Sequence, residues 1–241
     1  PQDYDLINLI GLVEAKKENY KNAIDFFKQT IVINPKLIGG YINIGVAYEK
    51  LDNLTESIKY LKKASKINPS LEIVFSSLAK VFLKSNKYKE AILNFKKAIK
   101  INPTNSENYF NLGNALSNSK DYKNAISNYK KVLDSNNNFG DINFLIAENF
   151  RKMKKIKDAL KFYNRSNHEK KTTRILECYL FLKLKNEYSR EINLLKEKFS
   201  DDRRIAAVSA YISNQFNIKN DYPFCPNPLD FIYKSNIKKY F

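Results

Sequence analysis

Apolar positions recur along this chain in a block that repeats at a step of 34 residues, most plainly in Tyr109–Asn138. There an aromatic, Tyr109, is followed by Leu112, Gly113 and Leu116, and, after a polar stretch, by Ala125 and Tyr129. Spacings of three and four residues put these side chains on one face of a helix, so the block predicts two amphipathic helices joined by a short turn. Pro35, Pro69 and Pro103 stand at equivalent places. Each stops a second helix, and each biases the asparagine before it (Asn34, Asn68, Asn102) toward an extended backbone.

Aligned on the prolines, the chain holds five units. The first, from about Tyr4, has Ile10-Gly11, Ala23, Phe27 and Pro35, and the second Tyr41, Ile44-Gly45, Tyr48, Ser57, Leu61, Ala64 and Pro69. The third has Phe75, Leu78-Ala79, Phe82, Ala91, Phe95, Ala98 and Pro103; the fourth is the block above, with Asn137 in the proline place. The fifth keeps Ile146-Ala147, Phe150, Ala159 and Tyr163 without an exit proline. A small residue at the eighth position lets the two helices approach closely, as does alanine at the twentieth. The aromatic four residues later fills the space to the neighbouring unit.

Beyond Ser166 the pattern weakens. Residues 172–185 and 187–199, the latter carrying Leu194, Leu195 and Phe199, read as a divergent sixth pair. A last helix from Asp202 to about Phe216, with Ile205, Val208 and Ile212 on one stripe, would cap the stack. Asp201-Asp202 suit the positive end of its dipole. The expected organisation is repeats over 1–170, a divergent pair and capping helix over 171–217, and a proline- and aromatic-rich tail or linker over 218–241.

The spacing of aromatic, Leu-Gly, alanine and aromatic resembles the tetratricopeptide repeat. That resemblance implies an all-α, right-handed superhelical solenoid whose first helices line a concave groove. It places Asn8, Leu12 and Lys16, then Ile42, Asn43, Val46, Glu49 and Lys50, on the groove wall. Ser76, Lys80 and Lys84 follow, then Phe110, Asn111, Asn114 and Asn118, then Phe144, Glu148, Arg151 and Lys152. Phe110 and Phe144, one repeat apart, are read either as an aromatic patch or as core. Lys80, Lys84 and Arg151 are read as positive charge for a peptide carboxylate or acidic side chains, or else as a solvated face. The carboxylate clamp of chaperone-binding relatives is absent, since its slots hold Asn8 and Leu12, Ile42 and Val46, Ser76 and Lys80. The asparagine ladder of glycosyltransferase-associated relatives is partial: Asn43 and Asn111 match, while Leu9, Ser77 and Leu145 do not. The segment Pro223, Phe224, Cys225, Asn227, Pro228, Leu229, Asp230 and Phe231 resembles a connector in bacterial tetratricopeptide proteins that leads to a 2-oxoglutarate/iron oxygenase domain.

Composition changes this picture little. The formal charge is +17, which raises nucleic acid as a partner. Yet lysine is abundant together with Asn, Ile, Tyr and Phe, as AT-rich coding produces, and pairs such as Lys62-Lys63, Lys96-Lys97 and Lys130-Lys131 fall on outer faces. Cys178 and Cys225 form no metal-binding spacing, which favours a reducing, cytoplasmic compartment. The chain begins at Pro1 without an initiator methionine and reads as a fragment or processed product. His168, the one histidine, lies in a polar loop and has no partners for a catalytic or iron site. Cys178 reads as a small buried hydrophobe. No cofactor or catalytic residue is expected.

The expectation is a non-catalytic scaffold that binds an extended peptide or protein in its groove. Two alternatives stand beside it: the substrate-recruiting arm of a longer enzyme, and nucleic-acid binding through the basic surface. The ends of the stack offer a homodimer contact, and the tail could fold back into the groove.

Overall fold

A computed structural model describes residues 3–135, 139–198 and 202–218. Thirteen helices and no strands occur among these residues. They fall into two compact units, Pro1–Asn137 and Asn138–Phe241. The first holds four antiparallel hairpins: α1 (Asp3–Lys16) with α2 (Tyr20–Ile33), α3 (Ile38–Lys50) with α4 (Leu54–Ile67), α5 (Glu72–Lys84) with α6 (Tyr88–Ile101), and α7 (Ser106–Asn118) with α8 (Tyr122–Leu133). The second holds α9 (Ile142–Lys152) with α10 (Ile156–Arg165), α11 (Lys171–Phe181) with α12 (Lys185–Lys198), and α13 (Arg203–Gln215).

The first five hairpins share the same small-to-large contact. A Cβ on Gly11, Gly45 or Gly113 would stand 2.6 Å from the side chain of Phe27, Leu61 or Tyr129 respectively, sixteen residues on in each case. Ala79 opposite Phe95 and Ala147 opposite Tyr163 occupy the same slots, and all four of these side chains are shut off from solvent. Ala23, Ala91, Ala125 and Ala159 are likewise 0% exposed on the second helices. In the second hairpin Ser57 takes that place, also 0% exposed, and its hydroxyl has no hydrogen-bond partner.

A common turn closes every first helix. Glu18, Asp52, Asn86, Lys120, Lys154, Lys183 and Asn217 all take left-handed φ, between 51° and 68°. In each case the next amide reaches back to the carbonyl five residues earlier, as in Asn19→Glu14 at 2.9 Å, Lys87→Phe82 at 2.8 Å and Ile218→Ser213 at 2.9 Å. This bond satisfies a carbonyl that the helix end would otherwise leave open. The turns recur at the repeat step except between Lys154 and Lys183, an interval five residues shorter. Much of that loss falls on α10, which has 10 residues against 12 to 14 in α2, α4, α6 and α8.

In the second unit, α13 packs on α11, and Tyr188 of α12 bonds to the Ser209 carbonyl at 2.8 Å and the Ser213 hydroxyl at 2.7 Å. Asp202 caps α13 through the amides of Arg204 and Ile205. Cys178 is 1% exposed, and burial pushes its thiol pKa up to about 12, so it behaves as a small hydrophobe. Asn137, Phe199, Asp201, Cys225 and the tail segment 223–231 lie outside the described residues.

Candidate functional site

In the first unit, the first helices lie in sequence beside one another, α1 touching α3, α3 touching α5 and α5 touching α7. Their common face carries side chains one repeat apart, and polar contacts run between neighbours. Asn43 Nδ2 donates to Asn8 Oδ1 at 3.3 Å. Lys84 Nζ pairs with Asp52 at 2.9 Å and donates to the Glu49 carbonyl at 3.1 Å. Lys80 Nζ pairs with Glu107 at 2.6 Å. Glu72 at the start of α5 accepts from the side-chain amides of Asn105 and Asn108. The asparagine and lysine positions therefore act as rungs between repeats.

Lys80 and Lys84 are not bare charges. Both remain 40% to 43% exposed, and their partners Glu107 and Asp52 are 46% and 77% exposed. Such exposed pairs, screened by solvent, contribute little, so exchange for a carboxylate from outside costs little. Lys50 is exposed at the end of α3. Phe110 is half-buried, its ring tilted against Tyr129 at 6.3 Å between centroids. Beside it, Asn114 Oδ1 accepts from the Tyr129 hydroxyl at 2.8 Å, and Asn111 is half-buried.

The remaining candidates belong to the second unit. Phe144 is 9% exposed, packed 5.6 Å from the Tyr163 ring and stacked on His168 at 3.9 Å. Of the two readings of this phenylalanine, its surroundings are those of core. His168 lies in the loop between α10 and α11, half-buried against Phe144, and its Nδ1 accepts from the Lys170 amide at 3.1 Å. Glu148 receives Arg151 at 2.8 Å, Arg174 at 3.0 Å and the Tyr163 hydroxyl at 2.5 Å, and Arg174 also holds Glu177 at 2.8 Å. Burial alone would raise the Glu148 pKa. The bonds from Arg151 and Tyr163 and the charges of both arginines outweigh it and hold the carboxyl below its ordinary value. Asp141 is similar: burial raises its pKa, and the Phe144 amide, the Ser166 hydroxyl and the Asn167 and His168 amides bring it below the usual value.

Sequence reasoning did not foresee Asp52 and Glu107 as partners of Lys84 and Lys80, or Arg174 as the third charge on Glu148. Glu107 was findable, because it occupies the second position of the repeat that follows Lys80. Arg174 lies past the shortened fifth repeat, where the regular register no longer indicates which residues meet. Among the described residues, no group of three or more His, Cys, Asp or Glu is placed to hold a metal ion. No described helix is long and apolar enough to cross a membrane.

Residues 38–71 and 106–139 match the family described as tetratricopeptide repeat, and residues 80–119 match the family described as TPR repeat. No curated protein matches the chain by sequence. Similar solved structures include MamA from Desulfovibrio magneticus RS-1, with a TM-score of 0.64 at 16% identity over 68% of this chain and 93% of that one. PilF of Pseudomonas aeruginosa has a TM-score of 0.64 at 15% identity, over 86% of this chain and 97% of its own. YrrB, described as a TPR protein with an unusual peptide-binding site, has a TM-score of 0.59 at 16% identity, over 71% of this chain and 84% of that one. At these identities the likeness concerns the fold, an all-α solenoid of helix pairs.

Proposed function

We propose that this tetratricopeptide-repeat protein is a non-catalytic interaction scaffold, and that its first unit receives an extended polypeptide along the common face of α1, α3, α5 and α7. The observation that carries this reading is the run of inter-repeat rungs on that face, whose polar groups are only weakly committed to one another. Amides at Asn43, Asn111 and Asn114 offer donors and acceptors for a peptide backbone. Lys80 and Lys84 sit at 40% to 43% exposure in exchangeable ion pairs, and Lys50 is exposed on the same helices. An acidic side chain or a terminal carboxylate can take over a lysine from Glu107 or Asp52 at little net cost. Phe110 supplies a half-buried ring for an apolar side chain. The site of the second unit is different in kind: Glu148 is engaged by both Arg151 and Arg174, so that cluster serves as structure.

The test is an array of extended 12-residue peptides of varied charge, probed with the wild type and with a Lys80→Ala/Lys84→Ala/Asn111→Ala variant. Acidic peptides should bind the wild type and lose roughly threefold or more on the variant, since two exposed ion pairs and one amide contact are removed together. The helical circular dichroism signal should be unchanged. Equal binding by both proteins would move the site off this face.

A further inference from the structure

We propose that the outer face of the first unit binds single-stranded nucleic acid without regard to base sequence. Phe27, Leu61 and Tyr129 turn toward the first helices of their hairpins, and the opposite, exposed side of each second helix is rich in lysine. α4 and α6 each carry four lysines against one glutamate, α8 three lysines and no acid, and α2 two lysines against one aspartate. Apart from half-buried Lys28, all of these lysines are exposed. Of the acids, Glu56 is already held by Lys59 at 2.9 Å. The first helices of the same repeats are loaded differently: α1 has one lysine and three acids, α3 one of each, α5 two lysines and one acid, and α7 one glutamate and no lysine. A coding bias toward lysine acts on both helices of a repeat alike, so it does not produce this separation. A field of one sign over neighbouring helices selects a polyanion.

The choice among polyanions rests on what lies between the lysines. Where α6, α7 and α8 meet, a cleft of about 290 Å³ is lined by Lys96, Ile99, Tyr109, Asn124, Asn128 and Lys131. A hollow of about 390 Å³ on α4 is lined by Ile58 together with Lys59, Lys62, Lys63 and Lys66. Aromatic rings are interleaved with the charges: Lys63 lies 5.4 Å from the centre of the Tyr60 ring, Lys97 5.5 Å from that of Phe75 and Lys131 4.8 Å from that of Tyr109. The lysines receive the phosphates of a strand, and a base turned out of it enters the partly apolar cleft beside the two asparagine amides. A duplex keeps its bases stacked inside and has nothing to place there; an acidic polypeptide or a layer of lipid headgroups uses the charge alone. These four helices carry no arginine, the side chain best suited to reading a base edge through two bonds, so phosphate contact without sequence preference is the expected mode.

Fluorescence anisotropy of a labelled deoxythymidine strand of about 20 nucleotides, titrated with the full chain from about 50 to about 300 mM salt, tests the assignment. Affinity should fall by about 0.7 in log K per phosphate contact for each tenfold rise in salt. Lys63→Ala/Lys97→Ala/Lys131→Ala replaces three exposed side chains. It should keep its helicity, lose at least about tenfold at low salt and flatten the salt slope by about two. The Lys80→Ala/Lys84→Ala/Asn111→Ala variant should bind the strand as the wild type does, which separates this face from the peptide face. The same strand without its bases, a duplex of equal length, polyglutamate and phosphatidylserine vesicles should each bind at least about fivefold more weakly, the loss expected for one stacked base. No binding at about 50 mM salt, an unchanged affinity for the Lys63/Lys97/Lys131 variant, or equal capture of any of those four competitors overturns the proposal.

Discussion

The most decisive perturbation of the fold is a single oxygen. Ser57 occupies a slot that alanine fills in the other four regular repeats, at Ala23, Ala91, Ala125 and Ala159, and all five residues are 0% exposed. Its amide is bonded to the Asn53 carbonyl at 3.1 Å, but its hydroxyl has no partner. A buried hydroxyl without a hydrogen bond costs about 1–3 kcal/mol, and serine is a slightly poorer helix former than alanine, by about 0.5 kcal/mol. Both terms act in the same direction, and removing one atom opens a space smaller than a methyl group. Ser57→Ala should therefore stabilise the protein by about 1–3 kcal/mol, with a rise in Tm of about 2–4 °C per kcal/mol for a chain of this size. The reverse change, Ala91→Ser, should cost a similar amount. Equilibrium urea unfolding followed by circular dichroism measures both as shifts of midpoint at constant slope. An unchanged or lowered midpoint for Ser57→Ala would show that the hydroxyl is satisfied after all, and that the small slot does not govern how closely the helices approach.

Two further outcomes follow from the second unit and the turns. Glu148 has a lowered pKa, so its contribution to stability is present above the ordinary carboxylate range and is lost as pH falls through the depressed value. Glu148→Gln should cost toward the lower end of about 3–5 kcal/mol at neutral pH, because Arg151 and Arg174 lose their shared partner. Between about pH 5 and pH 3, thermal melts of the variant should fall less steeply than those of the wild type. Lys120 holds φ of 68° with a side chain that disfavours it. Left-handed backbone costs a non-glycine residue about 1–2 kcal/mol, while glycine's looser unfolded chain returns about 0.4–1 kcal/mol of that. Lys120→Gly should stabilise by up to about 1 kcal/mol, read as a higher urea midpoint.

The helix pairs were legible in the sequence because their determinants are local and periodic. Leu112-Gly113 and Ala125 with Tyr129 state both which faces meet and how closely, and the prolines mark where each second helix stops. The seven left-handed turns were harder to see, since Glu18, Asp52 and Lys154 carry no glycine signature; the Schellman-type bond and the packing on either side impose the conformation. On the common face of α1, α3, α5 and α7, sequence position alone gave Lys80 and Lys84 but not their state. Whether a lysine is bare or paired depends on Glu107 and Asp52, which meet it only once neighbouring repeats are in register. Phe110 and Phe144 hold the same repeat position, yet one ring is half-buried beside Tyr129 while the other is sandwiched by Tyr163 and His168. The histidine that makes the difference comes from the loop left by the shortened α10, outside any repeat pattern.

The recurring turn also bears on how such a chain can change length. Because every left-handed corner is closed by an amide and a carbonyl from the same hairpin, no hydrogen bond of one corner depends on the next. Excising residues 72–105 would join Leu71 to Ser106, bringing one helix-preceding residue into the place of another, Asn105. The chain then loses the contacts made by Glu72, Lys80, Lys84 and Asn105 and keeps its remaining corners. The length of the inner face is thus set by the number of modules, and can be extended or trimmed in whole units without redesigning any of them.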